Sequence, residues 1–475
     1  PVGRNRFLFG YNVHFGLKSE IRVSDVFAVY EYRDEGFHSI ESEFLVNDQF
    51  EDDFKGLYKY YKNTKFVKFS FVGPFLFMVF RVGNLVSDVK TFKWLVKDGS
   101  LIYVDNRSDH EFSFPKQYEC DWQRTHRDLH RDGVHPHISI QDRLFVSCAD
   151  GLFTAKVEDN TESGKGIYSE PVEHPDQTLD DAEIFYADIG CLTLLKIRPF
   201  QEKRFRFFVF NDKLKTLEKI DSLEHSCVRL PEDQGIIFSD GYYLQTGLLK
   251  RFDTNKTEML FERLVASNNG EDYLFVFYNR TSGDYVMMSY NLIGQTVENP
   301  ILCNGFSLFE NGELAYFKCE EEAQRHHTIQ IWQTPYVAPE HEKQANKESF
   351  LYKIGNRDVV RCMAECHDVL NLVRKEDVYS GLYVDVSRAT GDIVDSYFWI
   401  DQVEAFNLRE ALEAIQETAG RGIDEFEKVR RLRRESEHSL AQLDQETSKR
   451  LREIGKSPLA SIDEFVGHLG ALRTL

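Results

Sequence analysis

Two stretches eighty residues apart share one pattern: FVFNDKLKTLEKI (Phe208 to Ile220) and MSYNLIGQTVENPI (Met288 to Ile301) each place a Thr five residues after an Asn. LKRFDTNKTEMLF lies between them, so Thr216, Thr257 and Thr296 follow one another at 41 and 39 residues. A period near forty is the length of one four-stranded propeller blade. The aromatic and aliphatic run ahead of each Asn or Asp is expected as an inner strand, and the Thr segment as the outer one. Dividing roughly 330 residues by a blade of about 40–45 predicts a mainly β chain built as a seven-bladed β-propeller. Eight blades are the alternative count, and a pair of β-sandwiches or an irregular all-β fold the alternative architecture.

Turn chemistry agrees with many short strands. Asp-Gly stands at 98, 132, 150 and 240 and Asn-Gly at 269, 304 and 311, and such pairs accept the positive φ of two-residue hairpin turns. Alternating apolar runs flank several of them, as in EDYLFVFYNR and GELAYFKC. No helical period of comparable length is expected between Arg6 and Val337. There is no Trp-Asp dipeptide, Gly-Gly pair or sialidase-type Asp box to label the blades.

The character changes past Pro339. HEKQANKES reads as a charged linker, and NRDVVRCMAECHDVLNLVRK as an amphipathic helix. After Gly391, DIVDSYFWIDQVEAFNLREALEAIQETAG gives one or two further helices. IDEFEKVRRLRRESEHSLAQLDQETSKRLREI gives a long charge-laced one, in which Leu440, Leu443, Leu451 and Ile454 mark a seam suited to a helical partner. The expected division is therefore a propeller-like domain at 1–338, a linker and helical connector at 339–403, and a helical, short coiled-coil region at 404–475.

Composition bounds the function. A formal charge of −20 disfavours broad contact with a phosphate backbone. The eight cysteines include no C-x-x-C pair, which fits reduced core thiols of a cytoplasmic protein better than disulfides or a zinc ribbon. The longest uncharged apolar run, FSFVGPFLFMVF (Phe69 to Phe80), is too short to span a bilayer, so no membrane insertion is expected. The chain opens at Pro1 without an initiator Met, and is expected to be part of a longer polypeptide.

Several clusters could carry chemistry. His126, His130, His135 and His137 fall within HRDLHRDGVHPHISI, together with Asp128 and Asp132. Four imidazoles can bind zinc, and His126 and His130 have a metalloprotease spacing. The required Glu is replaced by Arg127, Gly133 and Pro136 break any shared helix, and Arg124, Arg131 and Arg143 would repel a cation. The expected reading is a polar loop entering the strand ISIQDRLFVSC.

Gly455-Lys456-Ser457 and ESGKGIYS each resemble part of a phosphate loop, but Arg450 and Asp159 stand where the leading Gly belongs. Gly455 and Pro458 are expected to stop a helix instead. Lys428, Arg430, Arg431, Arg433 and Arg434 concentrate five positive charges that could meet nucleic acid or a protein partner. They are expected to pair with Glu425, Glu427, Glu435 and Glu437 at helical spacing. Asp180, Asp181 and Glu183 could supply carboxylates for a propeller hydrolase, but are expected as turn residues before a strand.

Long stretches resemble a known family: NRFLFGYNVHFGL, VFAVYEY, DDFKGLYKYYKNTKF, DVKTFKWL, YVDNRSDHEFSFP, HPHISIQDRLFV, VEDNTESGKGIYSEPV, QTLDDAEIFY, LKIRPFQEKRFRFFVFN and IQIWQTPY. They are similar to large bacterial proteins labelled "DNA repair ATPase", in a domain of unknown function that precedes an AAA-type ATPase module. The resemblance runs from Asn5 to about Arg434. It implies that ATP and Mg²⁺ are handled by the AAA module, and that none of that module's site residues maps onto this chain. It also implies a parent ATPase that forms a homo-oligomeric ring of six subunits. This chain is then expected to be no enzyme itself and to hold no cofactor. Its expected role is to bind a protein partner or substrate and couple it to the motor, with a hydrolase and a DNA-associated module as the alternatives.

Overall fold

The computed structural model describes residues 1–475 except 4, 13–19, 35, 41–44, 46, 86–87, 150, 310, 320–327, 338–345, 376–380, 457–461, 464–465, 468–469, 471–472 and 474–475. It divides into two compact units, Pro1–Ala345 and Asn346–Leu475. The first is mainly β and the second is helical.

Among the described residues the first unit holds seven sheets, all antiparallel, with three to five strands each. In chain order they span 6–40, 65–105, 130–171, 183–219, 228–251, 260–303 and 305–333. Each is chiefly a meander in which neighbours in sequence are neighbours in space. The fourth also takes in Gln123–Arg124, which comes from upstream of the third and pairs with Glu183–Ile189.

The expected turns form the hairpins in part. Asp98 and Gly99 both have positive φ, 50° and 75°, and close the tight turn between Lys97 and Ser100. Gly151, Gly270 and Gly312 are also left-handed, whereas Gly241 and Gly305 begin strands and Gly133 lies on a loop. The run Phe69–Phe80 folds back on itself around Gly73, pairing Phe71 with Leu76 and Val72 with Phe75. ISIQDRLFVSC is a hairpin rather than one strand. Gln141 and Asp142 turn the chain at φ 55° and 53°, and the Ser139 hydroxyl donates to Asp142 at 2.7 Å.

The forty-residue repeat holds twice. Thr216 and Thr296 each begin an edge strand, paired with Asn211 and Asn291, whose side-chain oxygens accept from the turn amides of Leu214 and Gly294. The aromatic run is the neighbour of that edge, not the opposite edge of the sheet. Thr257 breaks the pattern, because it lies in the connection from the fifth sheet to the sixth.

Besides the single turn Val23–Val26, a thirteen-residue helix, Asp48–Tyr60, interrupts the β unit, contrary to the expectation that no helix of such length would. Its signals are local: the Asn47 side chain accepts from the Phe50 amide at 3.0 Å, Asp48 and Glu51 occupy the first turn, and Lys59 the last. Phe50, Phe54 and Leu57 recur on one face and pack with Phe27, Phe80, Phe92 and Trp94 between the first two sheets.

Sheet faces meet in separate clusters. The third packs on the fourth through Ile138, Val146, Leu195 and Phe208. The fourth meets the fifth through Leu194, Val209, Ile236 and Phe238, and the fifth meets the sixth through Ile237, Tyr242, Phe275 and Met288. Leu274 and Met287 of the sixth meet Leu314 of the seventh. The ring of Phe7 in the first sheet lies 4.9 Å from that of Phe309, beside the seventh.

In the second unit, Asn356–Val373 and Leu382–Ser396 pack with the start of a single helix running from Leu408 to Lys456. The end of the stretch expected to hold one or two helices after Gly391 and the long charge-laced helix expected beyond it are thus one continuous helix, 49 residues or roughly 73 Å. The core includes Val369, Ile393, Trp399 and Leu412, with Val359 and Leu408 against it, so it draws on both sides of position 403. The linker residues 339–345, and Ser457 and Pro458, lie outside the described residues.

Replacing Phe50 by Ala is expected to destabilise the β unit by about 3–5 kcal/mol, and Asn47 by Ala by about 1 kcal/mol. Urea denaturation followed by tryptophan fluorescence measures both, and equal costs would contradict the burial argument.

Candidate functional site

The most distinctive site lies between the second and sixth sheets. Lys68, on strand Lys65–Val72, faces Glu262, on strand Leu260–Ala266, with Nζ to Oε1 at 2.5 Å and side chains only 4% and 16% exposed. Burial pulls the Lys68 ammonium down, and Glu262 opposes that shift. Beside the pair, the Tyr278 hydroxyl donates to the Val67 carbonyl at 2.8 Å.

A cavity of about 240 Å³ opens at this junction. Its walls include Val67, Val89, Phe114 and Leu260, and two arginines line it, Arg81 and Arg280. Arg81 ends the central strand Phe75–Arg81. Arg280 sits on the turn after strand Asp272–Tyr278, where the Asn279 side chain accepts from the amides of Thr281 and Ser282 at 2.7 and 2.9 Å. The Arg280 guanidinium lies 3.5 Å from the centre of the Phe114 ring. Burial lowers its basicity, against the field of Glu262.

Phe114 reaches the cavity because the connection from the second to the third sheet does not run directly. Gln117 bonds the backbone of Phe261 in the sixth sheet, with its carboxamide accepting at 2.6 Å and donating at 3.1 Å. Tyr118 then bridges Cys227 next to the fifth sheet, Trp122 packs on Phe207 of the fourth, and Arg124 joins that sheet.

A second, open cleft of about 810 Å³ is lined by Glu170, Glu202, Arg206 and Lys219 among others. Arg206 reaches both Glu170 and Glu202 at 2.6 Å, and Lys219 reaches Glu170 at 3.0 Å. Burial pushes Glu170 up, but hydrogen bonds from Arg206, Lys219 and Tyr168 outweigh it and leave the carboxyl below its ordinary 4.5.

The candidates from sequence fall elsewhere and do not converge. His126 is exposed ahead of a 3-10 turn, His130 pairs with Ile138, and the His135 amide donates to Thr161. His137 is fully buried, with Nε2 2.8 Å from Asp159 and Nδ1 without a partner among the described residues. No three His, Cys, Asp or Glu side chains among the described residues could hold one metal ion. Asp180 takes a two-point bond from Arg127 at 2.9 and 2.8 Å, Asp181 accepts from Thr178, and Glu183 pairs with Arg198 at 2.7 Å. Of the basic run, Lys428 meets Glu425 at 2.8 Å, Arg433 meets Glu437 at 3.3 Å and Arg431 meets Glu435 at 3.9 Å. Arg430 and Arg434 have no ion pair among the described residues.

A domain family of unknown function, described as "ATPase involved in DNA repair", matches residues 2–398. The chain belongs to that family. No curated protein matches it. Among solved structures it is similar to prolyl oligopeptidase B from Galerina marginata, at 10% identity and a TM-score of 0.21, over 71% of this chain and 48% of that one. The tricorn protease gives 10% identity and 0.16 over 68% and 34%, and the Dos1 propeller 11% and 0.17 over 69% and 81%. The chain thus spans about half or less of the two proteases. Among the family member's described residues no helix is long and apolar enough to cross a membrane.

Glu262→Gln is expected to cost about 3–5 kcal/mol, because it leaves a buried ammonium unneutralised, and Lys68→Met with Glu262→Leu to recover most of it. Urea midpoints test this, and a single-variant cost under about 1 kcal/mol would mean that solvent screens the pair. The depressed Glu170 contributes stability above pH 4.5 that disappears as the pH falls through its folded value. Glu170→Gln is therefore expected to flatten the loss of stability below that pH.

Proposed function

We propose that this chain is the non-catalytic recruitment and coupling region of a larger AAA-type ATPase, with the seven sheets as blades of a closed propeller. Support for the blade arrangement comes from the seven antiparallel meanders and from the contact between Phe7 and Phe309, at the two ends of the series. The observation that carries the coupling role is the helix Leu408–Lys456. It starts beyond the family region, which ends at 398, and leaves a small core to continue with Val429, Leu432, Leu440 and Leu443 exposed.

A helix of this length carries position over tens of ångströms, while loops on a rigid β scaffold are suited to holding a partner. In this reading the partner is a protein or protein substrate, ATP and Mg²⁺ belong to the motor module, and the setting is cytoplasmic. The parent assembles as a ring of identical subunits.

A second reading, contact with nucleic acid, draws on Arg430 and Arg434, which have no ion pair among the described residues, and on the family's description. It predicts that DNA affinity falls steeply with salt and that Arg430→Glu with Arg434→Glu removes the slope. Coupling without catalysis predicts no phosphate release from ATP and Mg²⁺ by the purified chain at any protein concentration. Turnover that persists through orthogonal purification steps would overturn it.

A further inference from the structure

We infer that the cavity between the second and sixth sheets is a binding site for a small monocarboxylate, held by the guanidinium groups of Arg280 and Arg81. Neither group makes a hydrogen bond or an ion pair among the described residues. Several other shielded cations of this unit have carboxylate partners. Lys68 has Glu262, Lys93 has Glu111, Arg206 has Glu170 and Glu202, and Lys256 has Asp284. Lys156 instead donates to the Asn160 and Ser163 carbonyls, and Lys196 and Arg263 lie over aromatic rings. An arginine taken partly out of water with no carboxylate in direct contact carries a desolvation cost that a bound oxyanion would offset, beyond what the field of Glu262 supplies.

The pocket is built rather than incidental. Arg280 is fixed by the Asn279 turn and stacked on Phe114, and Arg81 is anchored by ladder pairs with Lys65 and Val89. Arginine offers two parallel donors to a planar carboxylate, so one or both groups can make a forked bond.

Charge and size choose the ligand class. Two guanidinium groups and the Glu258 carboxylate, which also lines the cavity, leave one net positive charge. That balances a monoanion and leaves a dianionic phosphate uncompensated. His225 also lines the cavity, 4.0 Å from Glu224. The cavity's 240 Å³ is the liquid volume of about eight waters. Its Val67, Val89, Leu260 and Phe114 walls favour a short apolar or aromatic body behind the charged head. This site does not depend on the coupling role proposed above.

Titration calorimetry of the whole chain tests the inference, with benzoate as probe, benzamide as its neutral counterpart and inorganic phosphate as the dianion. Benzoate is expected to bind one to one, benzamide not at all, and phosphate more weakly than benzoate. Arg280→Met is expected to weaken benzoate at least about tenfold, with Arg280→Lys in between. Circular dichroism and the melting midpoint report whether the variants remain folded, and Arg81→Met serves if Arg280→Met does not fold. An acetylated tetrapeptide with a free carboxyl terminus, compared with its amide, identifies the source. Tighter binding of the free-carboxyl peptide than of benzoate assigns the pocket to a chain terminus, and the reverse to a free acid, the inference holding in both cases. No saturable benzoate binding up to about 20 mM, equal binding of benzamide, tighter binding of phosphate, or unchanged affinity in both arginine variants would overturn it.

Discussion

A strand with no exposed face must be covered on both sides, and the β unit depends on that constraint. In Phe75–Arg81, Leu76, Met78 and Phe80 enter the cluster with the first sheet, while Phe77 and Val79 turn to Phe112 and Phe114. In Leu192–Arg198, Leu195 and Ile197 face the third sheet and Leu192 and Leu194 the fifth. In Asp272–Tyr278, Phe275 and Phe277 face the fifth sheet, and Leu274 and Val276 belong to the cluster with the seventh. Side chains alternate with a period of two, so continuous apolar strands of this kind make each sheet a middle layer. A linear series of such sheets would expose an apolar face at each end. Phe7 and Phe9 of the first sheet instead meet Phe309 and Phe317 at the far end of the series.

The same parity explains what could be read from the sequence. Uninterrupted apolar runs between turn signals report strands buried on both faces, which is why a mainly β unit and a helical C-terminal region were legible. Asn211 to Thr216 and Asn291 to Thr296 were legible because each is a complete local device, an Asn that closes a turn and a Thr that opens the returning edge. Thr257 shared the spacing without the device, since no turn amide defines its place in a strand. The helix Asp48–Tyr60 was missed because its three core positions sit among acidic residues, and the phenylalanines in YKYYKNTKFVKF that follow suggest strand more strongly than helix. Its Asn47 cap was the signal that could have found it.

The site was not legible, for a different reason. Lys68 and Glu262 are 194 residues apart, and Arg280 and Phe114 likewise come from distant parts of the chain. Each looks ordinary in its own surroundings: a charge within an apolar strand, an arginine in a turn, a phenylalanine in a connection. The clusters that did stand out in sequence, His126 to His137 and Lys428 to Arg434, stand out because their members are adjacent along the chain. Adjacent polar residues on an exposed helix find local partners, as Lys428 finds Glu425 and Arg433 finds Glu437. Density along the sequence therefore marks mostly surface here, the buried His137 apart, while the residues of the cavity are scattered along the chain.

The connection from Phe112 to Arg124 joins these two points. Between consecutive sheets a short loop would suffice, yet this stretch passes the sixth, fifth and fourth sheets before the third begins. Its side chains carry the detour: Phe114 supplies the ring beneath Arg280, Gln117 satisfies both backbone groups of Phe261, and the Glu119 carboxylate accepts from the Arg229 amide at 3.0 Å. Tyr118 donates to the Leu223 carbonyl at 2.7 Å, which ties the stretch to the segment that also positions His225. A stretch that touches three sheets in reverse order adds links among them beyond the packing of neighbour on neighbour. Through Phe114 it also lines the cavity, so one wall of that cavity and these links among the sheets come from the same thirteen residues.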